Sequence, residues 1–273
     1  MNAFLKTGAT ALMACSVLFG GAVAANAQGT KTSLELRAAY DEAIKGKSIA
    51  FLPISLGVPL ADAWEHVLRT EAEWRGMNYE VRDPSNNPTA MQQALTALVD
   101  SRPDVLIVQN PSVTLLMREL QRAEKQGTHV IQVNMASNYK SDAFVGVDWR
   151  EIGRMIGEDV VQQCGAGSGK SGKVAIIQGE ITADASIDQM AGLNEAFAKD
   201  PSIKIVSNQA ANWLADTAKS LTDVVIQQDP DLCAHIGFWG IMESGAAQSI
   251  RNAGKIDDVK VYASGGGSQL DCD

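Results

Sequence analysis

The chain has 273 residues, 45% of them hydrophobic, and a formal charge of −9 at neutral pH. That length supports one large domain or two of roughly 100–150 residues, each able to bury a core. The acidic balance excludes nucleic acid and an anionic membrane surface as natural partners, because both would repel it.

Taken in chain order, residues 1–27 read as a cleavable export signal. Met1 to Lys6 is a short charged start, Thr7 to Ala24 an apolar run, and Ala25-Asn26-Ala27 a small-x-small cleavage point before Gln28. Gly8, Gly20 and Gly21, with polar Thr7, Thr10 and Ser16, make this a poor membrane span. Leu12-Met13-Ala14-Cys15 is a weak match to a lipoprotein box, since Met13 is bulky there and the apolar run continues past Cys15. The mature chain is therefore expected to be soluble and exported, with Cys164, Cys233 and Cys272 remaining. An oxidising compartment permits one disulfide among them, and the residues alone leave all three pairings open.

Lys31 to Lys45 places Leu34, Leu36, Ala39, Tyr40 and Ile44 at helical spacing, predicting an amphipathic N-terminal helix. From Ser48 onward strand and helix signals alternate. Strands are predicted near 48–55, 78–82, 104–108, 129–134, 143–147, 173–179, 203–208, 235–239 and 259–264. Helices are predicted near 60–75, 88–101, 113–126, 149–164, 185–199, 214–228 and 241–253. Each strand-helix-strand step is too long for a hairpin, so the sheets should be parallel with helices on both faces. Two α/β lobes suit the length better than one nine-stranded sheet, with the join near Gly146-Val147-Asp148. The expected layout is a signal peptide (1–27), an N-terminal helical extension (28–47), an N-terminal lobe (48–146) and a C-terminal lobe (147–273).

In open α/β sheets ligands sit beyond the carboxyl ends of strands, so residues just after each strand are the candidates. Trp149, Trp213 and Trp239 all fall there, and an indole face stacks on the C–H face of a sugar or polyol, or on an aromatic compound. Trp64 and Trp74, inside the first helix after Ser48, read as packing. Asn134 ends the apolar run from Val130 with a polar amide, which suits a site better than a core. Asp148 can bond a ligand, cap the helix beginning at Trp149, or both. Asn110 before Pro111 reads as turn chemistry. Ser264-Gly265-Gly266-Gly267 lets backbone N–H groups approach a ligand closely.

Other motifs fail on inspection. Cys164 to Ser171 resembles a phosphate-binding P-loop, but Cys164 replaces the first glycine and the run leads from a helix into a strand. Asp83 to Pro88 has the oxygens of a calcium loop, with Pro88 where glycine is required. His66, His129 and His235 are isolated, there is no nucleophile elbow, and Asp257-Asp258 reads as solvated surface. Nothing here calls for a metal, a cofactor or a catalytic activity.

Several post-strand segments carry a family resemblance. These are Pro59 after the first strand, Gly76, Asp83-Pro84-Ser85-Asn86-Asn87-Pro88, the run Asp104 to Pro111, Val130-Ile131-Gln132-Val133-Asn134 and Val145-Gly146-Val147-Asp148. Lys173 to Gly179 and Asp229-Pro230-Asp231-Leu232 continue the pattern. In order and spacing the succession resembles the ribose-binding family of periplasmic proteins. The resemblance implies two Rossmann-like lobes joined by a hinge, with solute trapped in the cleft. It also implies delivery to an ABC permease in the inner membrane from a monomeric periplasmic protein. Sensing through a chemoreceptor or sensor kinase is the alternative role, while a transcription regulator or an enzyme on the same lobes fits less well.

Carried over by position, the family's contacts fall on Gly57 to Ala61 (Leu60 among them), Asn134, Asp148, Gln189, Trp213, Gly240 and Gly265. Departures are evident. Leu60 and Ala61 replace paired aromatics, Asn134-Met135 an acid-arginine pair, Gln189 an arginine, Gly240-Ile241 an Asn-Asp pair, and Gly265 an aspartate. Losing these charged clamps points to an uncharged sugar or polyol, with a small aromatic compound as runner-up. Trp213 is expected to be a cleft residue that supports no core. In the family fold the first and third strands of the second lobe are neighbours, which pairs Cys164 with Cys233. The resemblance ends at Asp273, inside the helix expected after the ninth strand, whereas family members cross back to finish the first lobe. The N-terminal lobe is therefore expected to be incomplete.

Overall fold

The computed structural model describes residues 32–266; the expected signal peptide with Gln28, and also Cys272, lie outside the described residues. The chain divides into two compact units at Tyr40/Asp41. Helix α1 (Ser33–Ile44) begins with a reciprocal cap. The Glu35 N–H donates to Thr32 Oγ1 (3.3 Å) and the Thr32 N–H donates to Glu35 Oε2 (2.7 Å).

The larger unit alternates strand and helix throughout. Its first half contains β1 (Ser48–Leu52), α2 (Pro59–Trp74), β2 (Asn78–Val81), α3 (Pro88–Ser101), β3 (Val105–Val108), α4 (Met117–Lys125), β4 (His129–Val133) and β5 (Ala143–Val145). The second contains α5 (Trp149–Cys164), β6 (Lys173–Gln178), α6 (Asp184–Phe197), β7 (Lys204–Ala210), α7 (Ala215–Gln228), β8 (Ala234–Gly237), α8 (Gly240–Asn252) and β9 (Lys260–Ala263). The strands form two sheets, ordered β2-β1-β3-β4-β5 and β7-β6-β8-β9, with every pairing parallel. No helix of the described residues is long and apolar enough to cross a membrane.

Local chemistry accounts for most boundaries. Val105-Leu106-Ile107-Val108 is a continuous apolar run, as a strand covered on both faces requires. Pro53 cannot donate a ladder bond, so β1 stops at Leu52 instead of reaching 55. Asn87 caps α3 by accepting from Ala90 N, with Pro88 at the first helical position. Helix α4 starts four residues later than the periodicity suggests. The reason is tertiary: Val113 N donates to Thr182 O (2.9 Å) and Val113 O accepts from Asn138 N (2.7 Å). Its backbone groups are thus committed elsewhere and cannot open a helix.

One core lies on the first sheet around Leu52, Leu95, Leu106 and Val130, and another on the second around Val174, Ile176, Leu193 and Ile236. Helices α5 and α6 meet backbone to backbone. A Cβ on Gly153 would lie 2.2 Å from Gln189 O, and one on Gly192 would lie 2.0 Å from Arg150 O. Cys164, the last residue of α5, is joined to Cys233, just before β8, by a disulfide with Cα atoms 5.9 Å apart.

Candidate functional site

The carboxyl ends of both sheets open onto a cavity of about 310 Å³. From the first sheet come Ile54, Val58, Leu60, Ala61 and Trp64 after β1, then Gln109 after β3, Asn134 and Met135 after β4, and Val147 and Trp149 after β5. The second contributes Ala185 at the start of α6, Trp213 and Leu214 after β7, Phe238 and Trp239 after β8, and Ser264 to Gly266 after β9. None of the described residues lining it is charged, and four are tryptophans.

Trp213 is held under strain. It and Asn212 both adopt left-handed backbone angles, φ +66° and +51°, which residues bearing a Cβ avoid. Its benzo edge lies flat against Gly179, where an added Cβ would come within 2.1–2.2 Å of three ring carbons. On the other side it meets Trp239 edge to face, with centroids 6.3 Å apart and planes at 75°. Its Nε1 is buried without a partner among the described residues. The ring also packs against the cores of both sheets, which overturns the expectation that Trp213 supports no core.

Trp149 is both wall and core, with Nε1 donating to Asn134 O (2.8 Å). That bond steadies Asn134, itself left-handed at φ +63°. Asn110 is not simple turn chemistry. It is fully buried, and Nδ2 donates to Gln132 Oε1 (2.8 Å) and to Met135 O (3.0 Å), tying the β3 end to the turn after β4. Beneath the Phe238–Trp239 turn, buried His235 bonds Glu243 through Nδ1 (3.0 Å) and Thr222 through Nε2 (3.0 Å), fixing the first turn of α8 to β8.

Of the predicted residues, Leu60, Asn134, Trp149, Trp213, Trp239 and Gly265 line the cavity. Gly57, Asp148, Gln189 and Gly240 do not. Gly57 sits on an exposed turn with its N–H bonded to Asp62 Oδ1 (2.9 Å). Asp148 is exposed and caps α5, accepting from Glu151 N (2.9 Å). Gln189 is sealed in α6 by the close approach of α5, and its Nε2 donates to Ala185 O (3.0 Å). Gly240 is buried as the first residue of α8, one residue past the wall that ends at Trp239.

Trp64, expected to be packing, is part of the wall, one helical turn after Leu60 on the same face of α2. Trp74 does not pack inward either; it is exposed, with the Arg75 guanidinium 4.9 Å from its ring centre. Gln109, Met135 and Phe238 were missed although each lies within two residues of a strand's end, so the post-strand rule alone could have found them.

Hydrogen bonds join the halves near the cavity: Val113 N donates to Thr182 O, Ala136 N donates to Asp184 Oδ2 (3.2 Å), and Asn86 Nδ2 donates to Asn212 O (3.3 Å). Burial pushes the Asp184 carboxyl above its ordinary range; the Ala136 N–H pulls it back, and neighbouring Asp188 adds to the rise. Among the described residues no cluster of three His, Cys, Asp or Glu could hold a metal ion. The Gly-rich run after Cys164 links α5 to β6 at the end of the sheet away from the cavity.

A family model described as a periplasmic binding protein domain matches residues 49–270. The D-allose-binding periplasmic protein of Escherichia coli K12 is 31% identical over 163 residues, covering 57% of this chain and 51% of that protein. The D-ribose/D-allose-binding protein of Pseudomonas aeruginosa is 26% identical over 206 residues, covering 72% and 61%. The chain thus spans between half and two thirds of the length of these curated relatives. Among solved structures, a Caulobacter myo-inositol binding protein bound to myo-inositol superposes with a TM-score of 0.72 at 25% identity, covering 80% of this chain and 74% of that one. A Mycobacterium smegmatis structure in complex with β-D-fucofuranose gives 0.73 at 23% identity, covering 80% and 73%, and shows the likeness of fold alone.

Proposed function

The chain belongs to the periplasmic binding protein family, and from that premise we propose that it captures a neutral sugar or polyol for an ABC importer. The observation that carries this reading is the cavity, walled from both sheets by four indoles and, among the described residues, free of charged side chains. Indole faces stack on the C–H faces of a ring, and neutral amides and hydroxyls can pair with its hydroxyls. An anionic or phosphorylated solute would instead have to enter with no compensating cation among the described residues, at a steep desolvation cost.

In this reading the two halves move about the segment between β5 and α5. Solute touching both favours the closed arrangement over the open one, and the closed face then docks on a permease. A thermal-shift panel tests it, with D-allose, D-ribose and myo-inositol as first neutral probes beside matched sugar phosphates. A solute at a hundredfold excess over its Kd should add about 2.7 kcal/mol of stability. Stabilisation by the phosphates and by no neutral member would overturn the proposal.

A further inference from the structure

The bonds between the halves lie at unequal distances from the crossover that leads from β5 into α5. Ala136–Asp184 and Val113–Thr182 stand after β4 and β3, one and two strands from β5. Asn86 stands after β2, at the opposite edge of the first sheet, four strand spacings or about 19 Å from β5. Its partner Asn212 follows β7, an edge strand of the second sheet. A rotation of the halves about the crossover therefore separates Asn86 from Asn212 before it strains the other two bonds.

Each end of that bond is shaped within its own half. Asp83 Oδ1 accepts from Ser85 N (2.7 Å) and Asn86 N donates to Ile54 O (2.9 Å), which fixes the turn after β2. Asn86 sits there at φ +57°, a left-handed angle that asparagine adopts more readily than most residues bearing a Cβ. Its side chain is exposed, and Nδ2 donates across to Asn212 O (3.3 Å). In the other half Leu214 N donates to Ala211 O (3.0 Å), closing a turn whose central residues, Asn212 and Trp213, are both left-handed. That closing bond does not use the Asn212 carbonyl, which can therefore accept from outside the turn. We propose that Asn86 is a distal latch: its amide grips the turn that carries Trp213, holds the halves closed over bound solute and so sets how long the solute is retained. This rests on the closure reading above and adds to the indole wall a residue that governs release. Asn86 also borders the cavity, so the experiment must separate latching from contact with solute.

Asn86→Gly removes the amide without backbone strain, and Asn86→Asp keeps its shape and its left-handed tolerance but cannot donate. Stopped-flow release and calorimetry compare both variants with the parent, with D-allose, D-ribose and myo-inositol as probes. Each probe that binds should leave both variants about two- to tenfold faster, the range one hydrogen bond supplies, with association little changed. The factor should be the same for every probe, because a latch does not read the solute. The melting temperature of the ligand-free protein should not fall, since the Asn86 side chain is exposed. Unchanged release would overturn the latch, and a factor that differs from probe to probe would make Asn86 a solute contact and overturn it as well. A radius of gyration from X-ray scattering that does not shrink when solute binds the parent would overturn closure itself, and the latch with it. Binding by sugar phosphates alone would overturn only the neutral-solute reading, and the latch would then stand or fall on their release from the same two variants.

Discussion

Gly179→Ala adds one methyl group at the point where the second sheet grips Trp213. Gly179 follows β6, is buried, and has no left-handed backbone angle, so alanine fits its conformation and only space is at issue. The new Cβ would stand 2.1 Å from Trp213 Cη2 and 2.2 Å from both Cζ2 and Cζ3. Ordinary carbon contacts lie at about 3.5–4.0 Å, so the ring must retreat by roughly 1.4 Å or more. It cannot retreat freely, because Trp239 stands in a T-shaped contact with it, ring centroids 6.3 Å apart, and it should therefore swing into the cavity. Overpacking of this kind costs about 1–3 kcal/mol of stability. Loss of ring stacking should remove about 1–3 kcal/mol of affinity, roughly 5- to 150-fold in Kd. Urea denaturation of the ligand-free protein and calorimetry with its best solute measure the two effects. The double variant with Trp213→Ala supplies the control, since without the ring the methyl has nothing to strike and its stability cost should fall close to zero. An equal cost in both backgrounds would show that the strain lies elsewhere and refute the argument.

Three further outcomes are expected. Trp213→Ala should destabilise the ligand-free protein by about 3 kcal/mol, the low end for a buried aromatic, because the ring packs on both cores; Trp213→Gly should recover roughly 1 kcal/mol of that by relieving φ +66°. Paired denaturation curves decide this, and a glycine variant less stable than the alanine one would count against strain. Replacing Cys164 and Cys233 by serine opens a cross-link spanning 69 residues and should cost about 4 kcal/mol, read from denaturant midpoints under non-reducing conditions; an unchanged midpoint would show that the bridge contributes nothing. At the far end of the first sheet Lys47 Nζ and Ser48 N donate to Asp104 and hold its carboxyl down at about 2. A depressed folded value means that this stabilisation is complete above the unfolded carboxylate range and drains as pH falls through about 2; solvent exposure limits it to about 1 kcal/mol or less. Asp104→Asn should therefore be less stable than the parent above about pH 5, with the gap closing towards pH 2, and a gap that persists in acid would refute the assignment.

Element type was legible in the residues because it depends on local pattern. The apolar run Val105–Val108 bounded by polar residues specifies a buried strand, and Asn87-Pro88 specifies where α3 begins. Strand-helix-strand spacing then forces parallel pairing, and parallel sheets aim their carboxyl ends one way. That is why position alone could bring Asn134, Trp149, Trp213, Trp239 and Gly265 to the cavity they line. What only the tertiary structure decided are the approaches between segments remote in sequence. Gln189 sits on the helix that enters the cavity wall at Ala185, yet Gly153 and Gly192 let α5 close to backbone contact and seal it away. Trp64 and Trp74 occupy the same helix with similar neighbours, and one became wall while the other faces solvent. The start of α4 moved because Val113 bonds to Thr182, 69 residues away. Periodicity reports which face of an element is apolar. Which distant face it meets, and at what distance, is set by side-chain volume and by hydrogen bonds that exist only once both are in place.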